Sequence, residues 1–108
     1  MSFLNHNQIE DYNNKGYVSP INIFSKQEAK EIREEIEKIE KKWPEALTGL
    51  NRNYVHLISP VFDKICHNSK ILDAVESLIG KNILICGTTL FIKNPNEKGF
   101  VSFHQDAK

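Results

Sequence analysis

The chain has 108 residues, of which 40% are hydrophobic and 26% are charged, values typical of one small soluble globular domain. Fourteen basic and fourteen acidic side chains give a formal net charge of zero, so charge provides no reason to expect nucleic acid or an anionic membrane as a partner. No apolar run approaches the roughly 18 residues that a membrane span needs, and no signal peptide is recognisable. We therefore expect a cytoplasmic protein whose oligomeric state is unknown.

A capped helix is predicted to begin after Ser25. Ser25 and Glu28 have the spacing of a capping box, in which each side chain accepts a hydrogen bond from the backbone N–H of the other residue. Pro44 is predicted to end the helix. The apolar side chains between these two points recur at steps of three and four, which indicates a surface helix packed on a core; they are Ala29, Ile32, Ile36 and Ile39.

Two further helix starts follow in the middle of the chain. Ser59 followed by Pro60 is typical of an N-cap and a proline at the first helical position. Asn68 is predicted to cap a clearer helix that ends at Gly80, since glycine is the usual residue just after a helix. The apolar face of that helix is formed by Ile71, Leu72, Val75, Leu78 and Ile79.

The last quarter of the chain is predicted to form two β-strands. "NILICGTTLFIKNP" (82–95) and "FVSFHQD" (100–106) are rich in branched and aromatic residues and are separated by turn-forming residues. A shorter extended segment is predicted in "RNYVHLIS" (52–59). Because two strands with apolar faces do not close a sheet, the pattern suggests a fragment of a longer protein.

A metal-binding motif lies in the second predicted strand. His104 and Asp106 are two residues apart, so their side chains share one face of a strand. A neutral imidazole and a carboxylate suit a mid-series divalent metal, and two histidines with one carboxylate form the iron(II) oxygenase arrangement. The spacing alone also fits a surface histidine and aspartate at a strand end.

The longer context favours the metal site. "GYVSPINIFSKQEAKEI", "ILDAVESLIG", "GTTLFIKNP" and "FHQD" follow one another in an order and spacing that resembles the phytanoyl-CoA dioxygenase family of iron(II)/2-oxoglutarate oxygenases. The resemblance implies an α+β fold, the N-terminal part of a double-stranded β-helix or jelly roll, with outer helices and the first barrel strands. Residues 1–108 would then be one partial domain of this kind.

The resemblance also implies site residues and cofactors. His104 and Asp106 would be two of the iron(II) ligands, while the family's second histidine and its 2-oxoglutarate-binding arginine come later than this motif. Thr89 would face the 2-oxoglutarate, and His56 would lie near the cosubstrate or the substrate. An ordinary strand threonine and a structural histidine are the alternative interpretations of these two residues.

The implied activity is the hydroxylation of a small organic substrate with 2-oxoglutarate and O2 as cosubstrates. Chlorinating members of the family carry a small residue at the position of Asp106, so the aspartate favours hydroxylation. A non-catalytic binding domain that retains the fold is the alternative from another functional class. As an incomplete barrel, the 108-residue chain is expected to be inactive and partly unfolded or aggregated on its own.

Overall fold

The computed structural model describes residues 3–105, and the regular elements in that range are all helices. None of these helices is long and apolar enough to cross a membrane. The elements, in chain order, are α1 (His6–Lys15), α2 (Lys26–Lys42), two short 3-10 helices (Pro44–Leu47 and Gly49–Arg52), α3 (Val55–Ile58), α4 (Pro60–Cys66) and α5 (Ser69–Ile79).

The predicted α+β jelly-roll fold is wrong. Within the described residues, neither 82–95 nor 100–105 forms a strand, and the segment 52–59, predicted to be extended, contains helix α3. In this part of the chain, β-type pairing consists of an isolated antiparallel bridge between Asn53 and Thr89. Branched and aromatic residues favour strands only when neighbouring strands accept their backbone hydrogen bonds, and these segments lack such neighbours within residues 3–105.

The predicted helix boundaries are confirmed because they depend on local capping. The Glu28 carboxylate accepts from the Ser25 backbone N–H over 2.7 Å, and the Ser25 hydroxyl accepts from the Glu28 backbone N–H over 3.2 Å. The Asn68 side chain caps α5 by accepting from the backbone N–H groups of Lys70 and Ile71, and Gly80 ends the helix at a φ of 84°. Helix α4 begins at Pro60, as predicted, although the Ser59 side chain makes no capping hydrogen bond.

Helix α1 was not predicted, although the sequence contains its capping signal. The Asn5 side chain accepts from the backbone N–H of Gln8 over 3.0 Å, and the Gln8 side chain accepts from the Asn5 backbone N–H over 2.9 Å. Gly16 ends the helix in the left-handed region, at a φ of 80°, which glycine adopts without steric cost. The apolar side chains of this helix are Ile9 and Tyr12, so no apolar stripe marked it.

The hydrophobic core lies between α2, the first 3-10 helix, α3 and α4. Its buried members are Leu47, Val55 and Phe62. Apolar side chains of the surrounding elements pack against these three and extend the core; they are Ile36, Ile39, Ile65 and Leu90. This packing fixes the position of α3 and therefore that of His56, the residue after Val55.

Large apolar side chains of the two predicted strands are exposed. Leu84, Phe91, Phe100 and Phe103 each have at least 80% of their surface accessible to solvent. In the predicted barrel, alternate side chains of these segments would have been covered by further strands. Within residues 3–105, the buried apolar side chains are instead those of the helices and of Leu4, just before α1.

Replacing Ser25 with alanine should lower the free energy of unfolding by about 1 kcal/mol, the typical value of an N-cap. The pKa of Glu28 lies below its usual 4.5, mainly because of the hydrogen bond from the Ser25 backbone N–H. A lowered folded-state pKa stabilises the protein above pH 4.5, and this contribution disappears as the pH falls through the folded-state pKa.

Urea unfolding at neutral and acidic pH measures both effects. Ser69→Ala is the matched control, because Ser69 is likewise exposed at a helix start but makes no side-chain hydrogen bond within the described residues. An equal loss of stability in the two variants would show that the Ser25 cap does not stabilise α2.

Candidate functional site

Two of the residues predicted to contact the cosubstrate lie where residues 52–56 meet residues 88–90. We call these two stretches the paired segments. The Asn53–Thr89 bridge joins them, and two backbone hydrogen bonds of 2.6 and 2.9 Å flank the bridge. The pairing brings together side chains that are more than thirty positions apart in the sequence.

Tyr54 and Gly87 allow the paired segments to approach each other. Tyr54 has a φ of 56°, in the left-handed region, and this conformation turns the chain from the bridge directly into α3. The Tyr54 ring lies against Gly87, where a Cβ atom would be only 3.3 Å from the ring carbon Cε1. Glycine at position 87 therefore leaves space for this aromatic ring.

His56 is held by a threonine that the sequence did not single out. The His56 ring nitrogen Nδ1 lies 2.7 Å from the Thr88 hydroxyl oxygen, and the His56 backbone N–H donates to the same oxygen over 3.3 Å. Both side chains are half-buried. The sequence signal for this contact was the pair of threonines in "GTT". Neighbouring residues of an extended chain point to opposite sides, so Thr88 and Thr89 meet different partners.

Thr89 lines a small cleft on the paired segments. Its hydroxyl donates to the Asn53 side-chain oxygen over 3.0 Å. The cleft has a volume of about 180 Å³. It is bounded by Gly49, Arg52, Asn53, Thr89, Leu90, Phe91 and Ile92. Polar and positively charged side chains thus meet apolar side chains in this cleft, which contains Thr89, the residue predicted to contact 2-oxoglutarate.

Arg52 supplies the positive charge of this cleft. Its Nε–H donates to the Leu47 carbonyl over 3.1 Å, which anchors the guanidinium group. The remaining guanidinium N–H groups make no hydrogen bond within residues 3–105. The pKa of Glu97 is lowered, first by the side-chain hydrogen bond from Asn94 and to a smaller extent by the charge of Arg52. Arg52 therefore already favours a negative charge in its neighbourhood.

His104 lies on the extended segment outside the paired segments. Its ring nitrogen Nδ1 is 2.8 Å from the Ser102 carbonyl oxygen. Because a carbonyl oxygen only accepts hydrogen bonds, Nδ1 must carry the proton, and the ring lone pair is then on Nε2. A histidine that ligates a metal through Nε2 has this same arrangement, with the other ring N–H bound to an acceptor.

The second predicted iron ligand, Asp106, lies outside the described residues. Among residues 3–105, no cluster of three or more histidine, cysteine, aspartate or glutamate side chains could hold a metal ion. The structure thus brings His56 and Thr89 to the paired segments, while the partnership of His104 with Asp106 stays a prediction.

Comparisons of this chain with protein-family models, with curated proteins and with solved structures find no match. The geometry of the individual residues therefore carries the functional interpretation. The paired segments offer hydrogen-bond donors and a positive charge, and His104 makes the Nδ1 contact that is typical of a metal-ligating histidine.

Proposed function

We propose that this chain belongs to a cytoplasmic iron(II)- and 2-oxoglutarate-dependent dioxygenase that hydroxylates a small organic substrate. The His104-x-Asp106 motif and the resemblance to the phytanoyl-CoA dioxygenase family support this proposal. The observation that carries it is the hydrogen bond from His104 Nδ1–H to the Ser102 carbonyl, the contact that a histidine ligating a metal through its other ring nitrogen makes. The proposed activity is supported by these residues and not by the overall fold.

His104 and Asp106 would hold the iron. A neutral imidazole and a carboxylate belong to the ligand set that non-haem iron(II) oxygenases use, together with a second histidine. When bound, the iron supplies the activation of O2 that is coupled to the oxidative decarboxylation of 2-oxoglutarate. The Ser102 carbonyl fixes the orientation and the tautomer of the His104 ring.

The cleft that contains Arg52 and Thr89 would bind one carboxylate of 2-oxoglutarate, in addition to the arginine that the resemblance implies after the His104-x-Asp106 motif. Arginine forms strong, charge-assisted and often bidentate hydrogen bonds to carboxylates, and the Arg52 guanidinium is already anchored through Nε. The Thr89 oxygen donates to Asn53, so Thr89 would shape the cleft and position Asn53. His56 bonds to Thr88 and so lies on the other side of the extended segment from this cleft, where it would contact the substrate.

Asp106 supports hydroxylation over chlorination within this proposal. By resemblance, the chlorinating members carry a small residue at this position, and the missing carboxylate leaves a coordination position to chloride. A carboxylate at residue 106 would fill that position. The expected product therefore carries a new hydroxyl group and forms equally well in the absence of chloride.

The role of Arg52 can be tested by steady-state kinetics on the full-length protein. Arg52→Gln should raise the KM for 2-oxoglutarate about tenfold, since a hydrogen bond to a charged group contributes roughly 1.5–3 kcal/mol. The kcat should change little, because the iron ligands are untouched. Succinate released per unit time, measured as a function of 2-oxoglutarate concentration, gives both constants.

The chain provides a matched control for this variant. Arg33 is the other arginine, and it is exposed and bound to Glu37 on the surface of α2. Arg33→Gln should leave the KM unchanged. If Arg52→Gln also leaves it unchanged, or if both variants raise it equally, the cleft does not bind the cosubstrate.

A further inference from the structure

A cavity of about 600 Å³ opens where the end of α2 and the first 3-10 helix meet the end of α3. Its volume falls within the range of about 300–1,000 Å³ that is usual for small-molecule sites. It shares no lining residue with the cleft that contains Arg52 and Thr89, so the two are separate. Most of its wall is apolar and is formed by Ile39, Trp43, Pro44, Ala46, Leu47 and Ile58.

The polar group buried at this cavity is the Ser59 hydroxyl. Ser59 lines the cavity and is only 9% exposed, and its Oγ is buried with no hydrogen-bond partner within the described residues. A serine just before a helix usually accepts from a backbone N–H of the first turn, but the Ser59 side chain makes no such bond to α4. An unpaired buried hydroxyl costs free energy, and a ligand that bonds to it would remove this cost.

In the described part of the chain, the charged side chains that line the cavity are Lys42 and Glu45. Both are exposed, and Lys42 Nζ lies 4.3 Å from the centre of the Trp43 ring, a cation–π distance. Their opposite charges offset each other, so neither an anion nor a cation is favoured. The Asn51 side chain already donates to the Glu45 carbonyl over 3.0 Å. An ionised ligand would also lose hydration against the apolar wall, so the cavity favours an uncharged molecule.

We infer that this cavity binds an uncharged, largely apolar small molecule with one oxygen atom that accepts a hydrogen bond from the Ser59 hydroxyl. Serine has a single side-chain torsion with three staggered positions, so the hydroxyl can turn toward a ligand without a change of the backbone. Burial against the apolar wall supplies most of the affinity, and the hydroxyl selects a ketone or an alcohol over the corresponding hydrocarbon. Such binding requires neither iron nor 2-oxoglutarate.

Trp43 fluorescence measures this binding directly, because Trp43 is the one tryptophan among the 108 residues and is 54% exposed at the cavity. The probes are 2-decalone, decalin and decalin-2-carboxylate, which share a two-ring skeleton and differ in a single group. A bound probe should shift the Trp43 emission to shorter wavelength, and Trp43→Phe identifies this signal by removing it. 2-Decalone should bind about fivefold more tightly than decalin, the equivalent of one hydrogen bond of roughly 1 kcal/mol, and the carboxylate should bind more weakly than 2-decalone.

Ser59→Ala removes the hydroxyl and leaves the cavity in place. This variant should bind decalin as tightly as the unmodified protein does, which shows that the fold is intact, and it should lose the preference for 2-decalone. In the absence of a probe, Ser59→Ala should unfold at the same or a higher urea concentration, because it removes an unpaired buried hydroxyl. Ala46→Leu fills part of the cavity and should weaken the binding of both 2-decalone and decalin.

Three results would each overturn the inference. The first is that the unmodified protein binds neither 2-decalone nor decalin, or binds the carboxylate most tightly. The second is that Ser59→Ala retains the preference for 2-decalone or loses stability, which would show that the hydroxyl does not await a ligand. The third is a Trp43 emission that shifts with protein concentration in the absence of a probe, because a second copy of the chain would then cover the cavity.

Discussion

Replacing His104 with alanine is expected to abolish substrate-coupled succinate formation, and Asp106→Ala should have the same effect. In the proposed iron site, each change would remove one of the few protein ligands, since such sites keep several positions open for the cosubstrate and O2. Even changes to the outer partners of a metal ligand reduce activity or affinity on the order of 10–100-fold, so the loss of a ligand itself should exceed that range. Succinate release with iron(II) and ascorbate measures the effect.

A surface histidine provides the control for this pair of variants. His67 is exposed at the end of α4, where its ring contacts Asp63. His67→Ala should keep the iron content and the turnover of the unmodified protein. Unchanged iron content and turnover in both His104→Ala and Asp106→Ala would eliminate these residues as iron ligands.

The second large effect is expected in the core. Leu47→Ala should reduce the free energy of unfolding by about 2–5 kcal/mol, the usual range for removing a buried leucine side chain. Leu47 is only 2% exposed and packs with Val55 and Phe62. Few side chains of the described residues are fully buried, so each of them contributes a large share of the stability.

Leu50→Ala is the matched control for the core variant. Leu50 lies in the adjacent 3-10 helix, but it is 88% exposed. A surface substitution of this kind usually changes stability by less than about 0.5 kcal/mol. Urea unfolding followed by circular dichroism compares the two variants, and equal destabilisation would show that the helical core is packed differently.

The helix boundaries were predictable because their causes lie within four residues of each other. Ser25 with Glu28 and Asn68 with the start of α5 satisfy backbone N–H groups that the helix itself leaves unpaired. Glycine at residue 80 needs only its own backbone freedom. Asn5 and Gln8 have the same capping-box spacing, which indicates the start of α1 even though no apolar stripe follows it.

The strands could not be predicted correctly from residue type alone. The preference of residues 82–95 for an extended conformation depends on partners that the sequence does not specify. The segment that includes Val55 was interpreted as extended for the same reason. In the structure, Val55 is buried against Leu47 and Phe62, and this tertiary packing favours a helical turn at α3.

The candidate site was predictable in its residue types but not in its contacts. His56 and Thr89 do lie on the paired segments, yet the partner of His56 is Thr88, one position away from the predicted threonine. A shift of one residue in an extended chain reverses the side to which a side chain points. The proton positions on His56 and His104 depend on their acceptors and donors, which only the three-dimensional arrangement reveals.

The most direct test of the iron assignment is the visible absorption of the protein under anaerobic conditions with iron(II) and 2-oxoglutarate. An α-keto acid chelated to iron(II) absorbs visible light, so this measurement needs no knowledge of the substrate. The account predicts an absorption band that saturates at about one iron per chain and disappears in His104→Ala and Asp106→Ala, while His67→Ala retains it. A protein that shows no band, or a band that persists in both ligand variants, would contradict the account.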